Sequence, residues 1–320
     1  MTGDVKLTGD VKLTGDVDVT GDVELTGDVD VTRRLLAAGL DPGEVGRLVR
    51  GALDEDLHYG PDITSAATAP PGAQAVAGVV ARQPGVLAGL PVALAVLDAA
   101  GLAPEAAEPR HADGDRIGEG NEVLRIAAPL RELLGAERTL LNFLTHLSGV
   151  ATATRAWADA LAGTGCAVRD TRKTTPGLRQ LEKYAVRCGG GQNHRMGLGD
   201  AALIKDNHVV AAGGVGAAIA AVRAAAPDLP LEVECDTLAQ VREALDAGAA
   251  LILLDNMRLA GLRAAVVLAG RYPGTRLEAS GRLRLEEARA VAETGVDFVA
   301  VGALTHSSPA LDLGLDMLGG

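Results

Sequence analysis

The sequence predicts an α/β protein in which a (β/α) barrel follows a smaller mixed domain, and three observations carry that prediction. The second half alternates short apolar runs with helix-like stretches, each apolar run ends in a polar or charged cluster, and the residues ahead of it mix short strands with helices instead.

The apolar runs are CAVRDTRK (166–173), ALIKDNH (202–208), LEVECD (231–236), LILLDN (251–256), RLEASG (276–281) and DFVAVGA (297–303). Helix-like stretches fill 178–188, 215–226, 237–247, 259–271 and 284–294. Such alternation implies buried parallel strands with helical crossovers, and chemistry gathered at successive strand ends is the habit of a barrel. Six strands are clear and residues 191–195 offer a seventh, one short of eight. A doubly wound open sheet is the alternative. It lacks its glycine fingerprint, because Gly214-Val-Gly216 is followed by Ile219 where a third glycine would stand.

Ahead of these runs, an Asp-Pro start predicts a helix over 42–53, and 54–64 is rich in turn residues. Residues 75–90 read as two strands around a Pro-Gly turn, 91–100 as a helix and 122–126 as a strand. The long stretch 129–162 is apolar on most faces, so it is expected to be buried on several sides at a domain or subunit interface. Residues 1–32 differ from everything after them. TGDV recurs with Gly3, Gly9, Gly15, Gly21 and Gly27 at a period of six. Five hexads are too few to stack into a capped solenoid, so a solvated acidic tail is expected.

Composition narrows the function classes. A net charge of −12 argues against nucleic acid as a partner. The tail holds half of it, with Lys6 and Lys12 against eight acids. No apolar run has the length of a membrane helix, and the start lacks a signal-peptide pattern. Cys166, Cys188 and Cys235 are odd in number and widely spaced, which fits reduced thiols in a cytosol.

Against that acidic background the strand ends collect cations. Arg169, Arg172 and Lys173 follow one strand, His194 and Arg195 sit in a glycine-rich loop, and Lys205 ends the next strand. So many donors on one face suit a polyanion, with arginine supplying a planar fork and lysine a point charge. Each could instead pair with a neighbouring acid on a solvated face. Glu234 and Asp255 end the next two runs, where carboxylates could hold ribose hydroxyls or Mg²⁺. Ser280-Gly281 and Gly302-Ala303 end the last two, and small residues there let backbone N–H groups approach a phosphate. The order of cations, acids and phosphate cradle suits a phosphorylated sugar joined to an anionic partner. Lys205 also admits a second reading, as the Schiff-base lysine of a lyase.

These residues resemble a known family. DTRKTTPGLRQLEKYAVRCGGGQNHRMGLGDAALIKDNH (170–208) is similar to the central signature of quinolinate phosphoribosyltransferases. AERTLLNFLTHLSGVAT (136–152), EVECDT, LILLDN, LEASG, VGALTHS and ALDEDLHYGPDIT resemble its other blocks, and the likeness covers roughly 35–318. It implies an N-terminal α/β sandwich domain and a seven-stranded open α/β barrel. The expected division is a tail at 1–32, a sandwich at 33–137, a barrel at 138–304, and a segment 305–320 that returns to the N-terminal domain.

The resemblance also implies a cytoplasmic homodimer acting on quinolinate and phosphoribosyl pyrophosphate with Mg²⁺, in NAD biosynthesis. Arg138 from the second subunit would join Thr171, Arg172, Lys173, His194, Arg195 and Lys205 around the pyridine dicarboxylate. Glu234 and Asp255 would hold the ribose and Mg²⁺-bound pyrophosphate, and Ser280, Gly281, Gly302 and Ala303 the 5-phosphate. Lys173, Lys205, Glu234 and Asp255 would serve the chemistry itself. One departure is Arg282, where the family usually has Gly or Asn; its Cβ could tighten the turn, or its charge could assist the phosphate. The rivals are a transferase for nicotinate, a molybdate-operon paralogue, the Lys205 lyase, and a non-catalytic binding protein working through its repeats.

Overall fold

The computed structural model describes residues 29–318. The repeats up to residue 28 lie outside the described residues. The first part holds helices α1 (Val29–Ala37), α2 (Pro42–Leu57) and α3 (Ile63–Thr68), strands β1 (Gln74–Ala81) and β2 (Gly85–Val86), and helix α4 (Leu90–Ala99). Strands β3 (Ala107–Pro109), β4 (Arg116–Ile117) and β5 (Glu122–Pro129) follow, and then the long helix α5 (Leu130–Leu161). Local chemistry sets the helix starts. Asp41 and Asp62 each accept a backbone N–H three residues on, at 2.9 Å, and Pro42 supplies the φ that a first helical turn needs.

The second part comprises β6 (Ala167–Arg169), α6 (Arg179–Cys188), β7 (Ala202–Ile204), α7 (Asp206–Ala212), α8 (Val215–Ala225), β8 (Leu231–Cys235) and α9 (Leu238–Asp246). It continues with β9 (Leu251–Asp255), α10 (Leu259–Ala269), β10 (Arg276–Ser280), α11 (Ala288–Ala292), β11 (Phe298–Ala300), α12 (Ala303–His306) and β12 (Leu313–Met317).

Two sheets organise the chain. The N-terminal sheet has the order β12-β1-β5-β3, with antiparallel pairs, so the C-terminal strand closes the N-terminal layer. The larger sheet is parallel, in the order β6-β11-β10-β9-β8-β7. Its first strand in sequence pairs with its last, which is the cyclic order of a barrel and rules out the doubly wound alternative. Gln192 bridges Arg169 on the free side of β6. The seventh strand, expected at 191–195, is therefore reduced to one bridge, and the barrel stays open between it and β7.

Several sequence expectations shift at their edges. Helix α1 takes in Val29–Thr32, the last residues of the stretch assigned to the tail, because Val31 is buried against the core. The turn-rich stretch 54–64 instead carries the end of α2 and the start of α3. The strand pair ends at Val86, and Leu90 opens α4 behind Gly89, which takes the left-handed conformation. Helix α5 carries buried residues from Leu133 to Leu161 and packs on α4, α6, β2 and β12, the several-sided burial its composition implied. Among the described residues no single helix is long and apolar enough to cross a membrane.

Candidate active site

Strand alternation builds the site. On β8, Val233 and Cys235 are fully buried towards the helices, so Glu232 and Glu234 turn inward. On β9, Ile252 and Leu254 face outward and Leu253 and Asp255 inward. The same period places Leu203 and Lys205, Glu278 and Ser280, and Ala300 and Gly302 on the lumen side. These residues fall into layers. Lys205, Glu234, Asp255 and Ser280 form the rim of a cavity of about 540 Å³, and Leu203, Leu253, Glu278 and Ala300 form its floor.

The cavity brings together Thr171, Arg172, Lys173, His194, Arg195, Lys205, Glu234, Asp255, Ser280 and Gly281 of the residues expected from sequence. Gly302 stands just behind this wall, where an added Cβ would lie 3.0 Å from Lys173 Cδ and 3.4 Å from Thr171 Oγ1. Ala303 opens α12 beside it, exposed. Thr305 Oγ1 donates to the Lys173 carbonyl at 2.8 Å, fastening the 171–173 turn to that helix. Arg138 is exposed on α5 and does not line this chain's cavity.

The cations differ in what they already hold. Arg169 pairs with the buried Glu278 at 2.6 Å, so it takes the structural reading and supports the floor. Lys205 Nζ is 3.0 Å from Glu234 Oε2. A Schiff-base lysine calls for an apolar pocket, whereas Lys205 stands against a carboxylate. Arg172 and Arg195 are the unsatisfied members. The Nε atom of each is buried without a hydrogen-bond partner, although Arg195 Nη1 donates to the Ala201 carbonyl at 2.9 Å. Burial, and then the neighbouring charge of Arg172, pull Arg195 below the usual guanidinium range. Two crowded guanidiniums with idle donors call for an anion between them.

His194 is turned to the floor. Its Nδ1 accepts the Arg195 backbone N–H at 2.7 Å, which leaves the ring proton on Nε2, 2.7 Å from Glu232 Oε2 and 3.6 Å from Glu278 Oε1. Burial, and then the charge of Glu232, push Glu278 up to about 7. Beneath this loop lies a second buried pair. Lys183 Nζ donates to Asp170 Oδ1 and, at 2.9 Å, to the His194 carbonyl; both side chains are fully buried. Asp170 also accepts the His194 N–H at 2.9 Å and the Asn193 amide at 2.5 Å.

On the opposite wall the ligand oxygens of Glu234, Asp236 and Asp255 all lie within 4.8 Å of one another. Three clustered carboxylates are hard oxygen donors of the kind Mg²⁺ takes. Gly281 has φ +95, and a Cβ there would sit 2.3 Å from Asn256 Oδ1, so only glycine lets the two rim loops meet.

Comparison with known proteins bears on the family and the fold. The family described as quinolinate phosphoribosyl transferase matches in both its domains, the N-terminal over residues 62–148 and the C-terminal over 150–316. The chain belongs to the quinolinate phosphoribosyl transferase family. It is 54% identical to a nicotinate-nucleotide pyrophosphorylase [carboxylating] of Mycobacterium leprae, over 84% of this chain and 95% of that protein. It is 38% identical to the human protein of the same name, over 88% and 94%. The crystal structure of NadC from Streptococcus pyogenes superposes with a TM-score of 0.81 at 42% identity, covering 88% of this chain and 99% of that one. Sequence reasoning passed over Asp170, Lys183, Glu232 and Glu278, which hold the 193–195 segment and its histidine in place, and Asp236 of the carboxylate cluster.

Proposed function

We propose that the chain joins quinolinate to phosphoribosyl pyrophosphate and releases nicotinate mononucleotide, carbon dioxide and pyrophosphate, a step of NAD biosynthesis. The observation that carries this reading is the convergence of Arg172, Lys173, Arg195 and Lys205 on one cavity, with two buried guanidinium donors idle. The names of the relatives support it. A pyridine dicarboxylate would supply anions to the idle donors of Arg172 and Arg195.

In this reading the ring nitrogen attacks the sugar C1, and the C1–O bond to pyrophosphate breaks with its electron pair. The ring is then cationic and accepts the pair released when the bond to the 2-carboxylate breaks. Carbon dioxide leaves, and C2 takes a proton from solvent. The protein needs no nucleophile, and its contribution is orientation and charge balance. Glu234, Asp236 and Asp255 would hold Mg²⁺, which when bound neutralises charge on the departing pyrophosphate. Lys173 and Lys205 face the same reacting centre from the cation side, while Ser280, Gly281, Gly302 and Ala303 would receive the 5-phosphate.

Arg138, exposed on α5, would reach the site of a second subunit in a homodimer. Burial pushes the thiols of Cys166, Cys188 and Cys235 up to about 12, which suits unreactive thiols in the cytoplasm. The deciding experiment offers the protein quinolinate or nicotinate, each with phosphoribosyl pyrophosphate and Mg²⁺, and follows nucleotide and carbon dioxide. Quinolinate should be consumed with one carbon dioxide per nucleotide, and nicotinate poorly. Equal turnover of nicotinate would overturn the substrate assignment.

A further inference from the structure

Arg282 stands in a backbone conformation that its side chain does not favour. Its φ is +38, and among the described residues it shares a positive φ with only one other non-glycine residue, Asn256, on the facing loop. A Cβ is crowded there, and such outliers persist where the surroundings or a function enforce them. The turn has a glycine at 281 already, so it does not require an arginine at 282.

Three further observations concern the side chain. Arg282 lines the main cavity next to Ser280 and Gly281, as Arg172, Lys173, Arg195 and Lys205 line it from other strand ends. It also lines an adjoining cavity of about 360 Å³ that shares Asn256 and Gly281 with the first. Glu287, the acid of that adjoining cavity, is already taken, since Arg284 donates Nε at 3.3 Å to one carboxylate oxygen and Nη2 at 2.9 Å to the other. Among the described residues the Arg282 side chain makes no hydrogen bond or ion pair, in a chain whose net charge is −12. Its guanidinium is exposed and held on a strained turn beside the small-residue rim.

We propose that Arg282 clamps the 5-phosphate of the sugar substrate, closing over the dianion that the Ser280-Gly281 and Gly302-Ala303 backbone would cradle. The proposal rests on the transferase reading above and adds to it a residue that determines affinity for the sugar phosphate. The guanidinium supplies a planar pair of charge-assisted donors that a glycine rim lacks. The strain of the turn is then the counterpart of ligand affinity, so relieving one should lose the other.

The test compares Arg282→Gly with Arg282→Gln. Both remove the charge, and only the first relieves the backbone. Quinolinate turnover by the unmodified protein, measured first, establishes the transferase reading independently of the clamp. Arg282→Gly should then melt higher than the unmodified protein, and Arg282→Gln should not. Both variants should raise KM for phosphoribosyl pyrophosphate about tenfold with kcat and KM for quinolinate unchanged. Ribose 5-phosphate should inhibit both variants about tenfold more weakly, while inhibition by inorganic pyrophosphate stays as it was. Unchanged inhibition by ribose 5-phosphate would overturn the clamp, and so would a loss of pyrophosphate inhibition in its place, which would put Arg282 at the other end of the substrate.

Discussion

Replacing Lys183 by Met should unfold the protein more easily and weaken its hold on the anionic ring together. Lys183 and Asp170 are both fully buried, and Lys183 also donates to the His194 carbonyl. Removing one partner of such a pair leaves a buried charge uncompensated, which typically costs about 3–5 kcal/mol. Asp170 would keep two of its three donors, the His194 N–H and the Asn193 amide, so the lower part of that range applies, about 3–4 kcal/mol. At about 2.1 cal/mol/K of unfolding entropy per residue, that is a fall of roughly 5–7 °C in Tm for a chain of this size. The same bonds carry the 193–195 segment, so Arg195 would lose its aim and KM for quinolinate should rise at least as steeply as stability falls. Denaturant titration gives the first quantity and steady-state kinetics the second. Asp170→Asn added to Lys183→Met removes the stranded charge and should recover part of the stability without restoring the KM. A loss below about 1 kcal/mol in the single variant would refute the argument, because a buried carboxylate cannot lose its counter-ion so cheaply.

Three further outcomes follow from the site. Arg195→Ala should weaken use of quinolinate by roughly 30-fold or more, since losing a buried charge-assisted contact costs about 2–5 kcal/mol, whereas KM for phosphoribosyl pyrophosphate should move little; comparable changes in both constants would place Arg195 elsewhere. The raised pKa of Glu278, about 7, sets a pH dependence of stability. A folded pKa above the unfolded value means that its contribution is fully present below the unfolded carboxylate pKa and is lost as pH rises through about 7. Glu278→Gln should therefore flatten the fall in Tm between pH 5 and 8, even though stranding Arg169 lowers Tm throughout, and an unchanged slope would show that Glu278 is not the titrating group. Asp236→Ala should raise the Mg²⁺ concentration for half-maximal turnover about tenfold by removing one carboxylate of three, and no shift would remove Asp236 from the ion's reach.

The barrel and its rim were legible because a strand that ends at a functional face writes its polar residues last. ALIK, LEVE, LILLD and RLEAS each announce the position where the chain leaves the apolar layer, and the structure puts Lys205, Glu234, Asp255 and Ser280 on that rim. The floor was not read from the same runs, although its signal was present. In a strand, positions two apart share a face, so the inward direction of Glu234 already dictates that of Glu232 and Asp236, and the inward direction of Ser280 dictates that of Glu278. Attention to the last polar residue alone hid the ionic layer beneath it.

Lys183 is a different case. Within RQLEKYAVRC it looks like any solvated helical lysine, and only a carboxylate thirteen residues earlier, across the β6–α6 turn, makes its burial tolerable. Helix α1 escaped for a related reason, since Val31 sits in a repeat-like context and is drawn into order by packing on the core. What sequence periodicity cannot carry is pairing between elements, and a buried charge is legible only with its partner. The site's two kinds of charge divide on that line. Arg169 and Lys183, each held by a buried carboxylate, support the floor and the loop above it, while Arg172 and Arg195, whose Nε donors stay idle, are left for substrate.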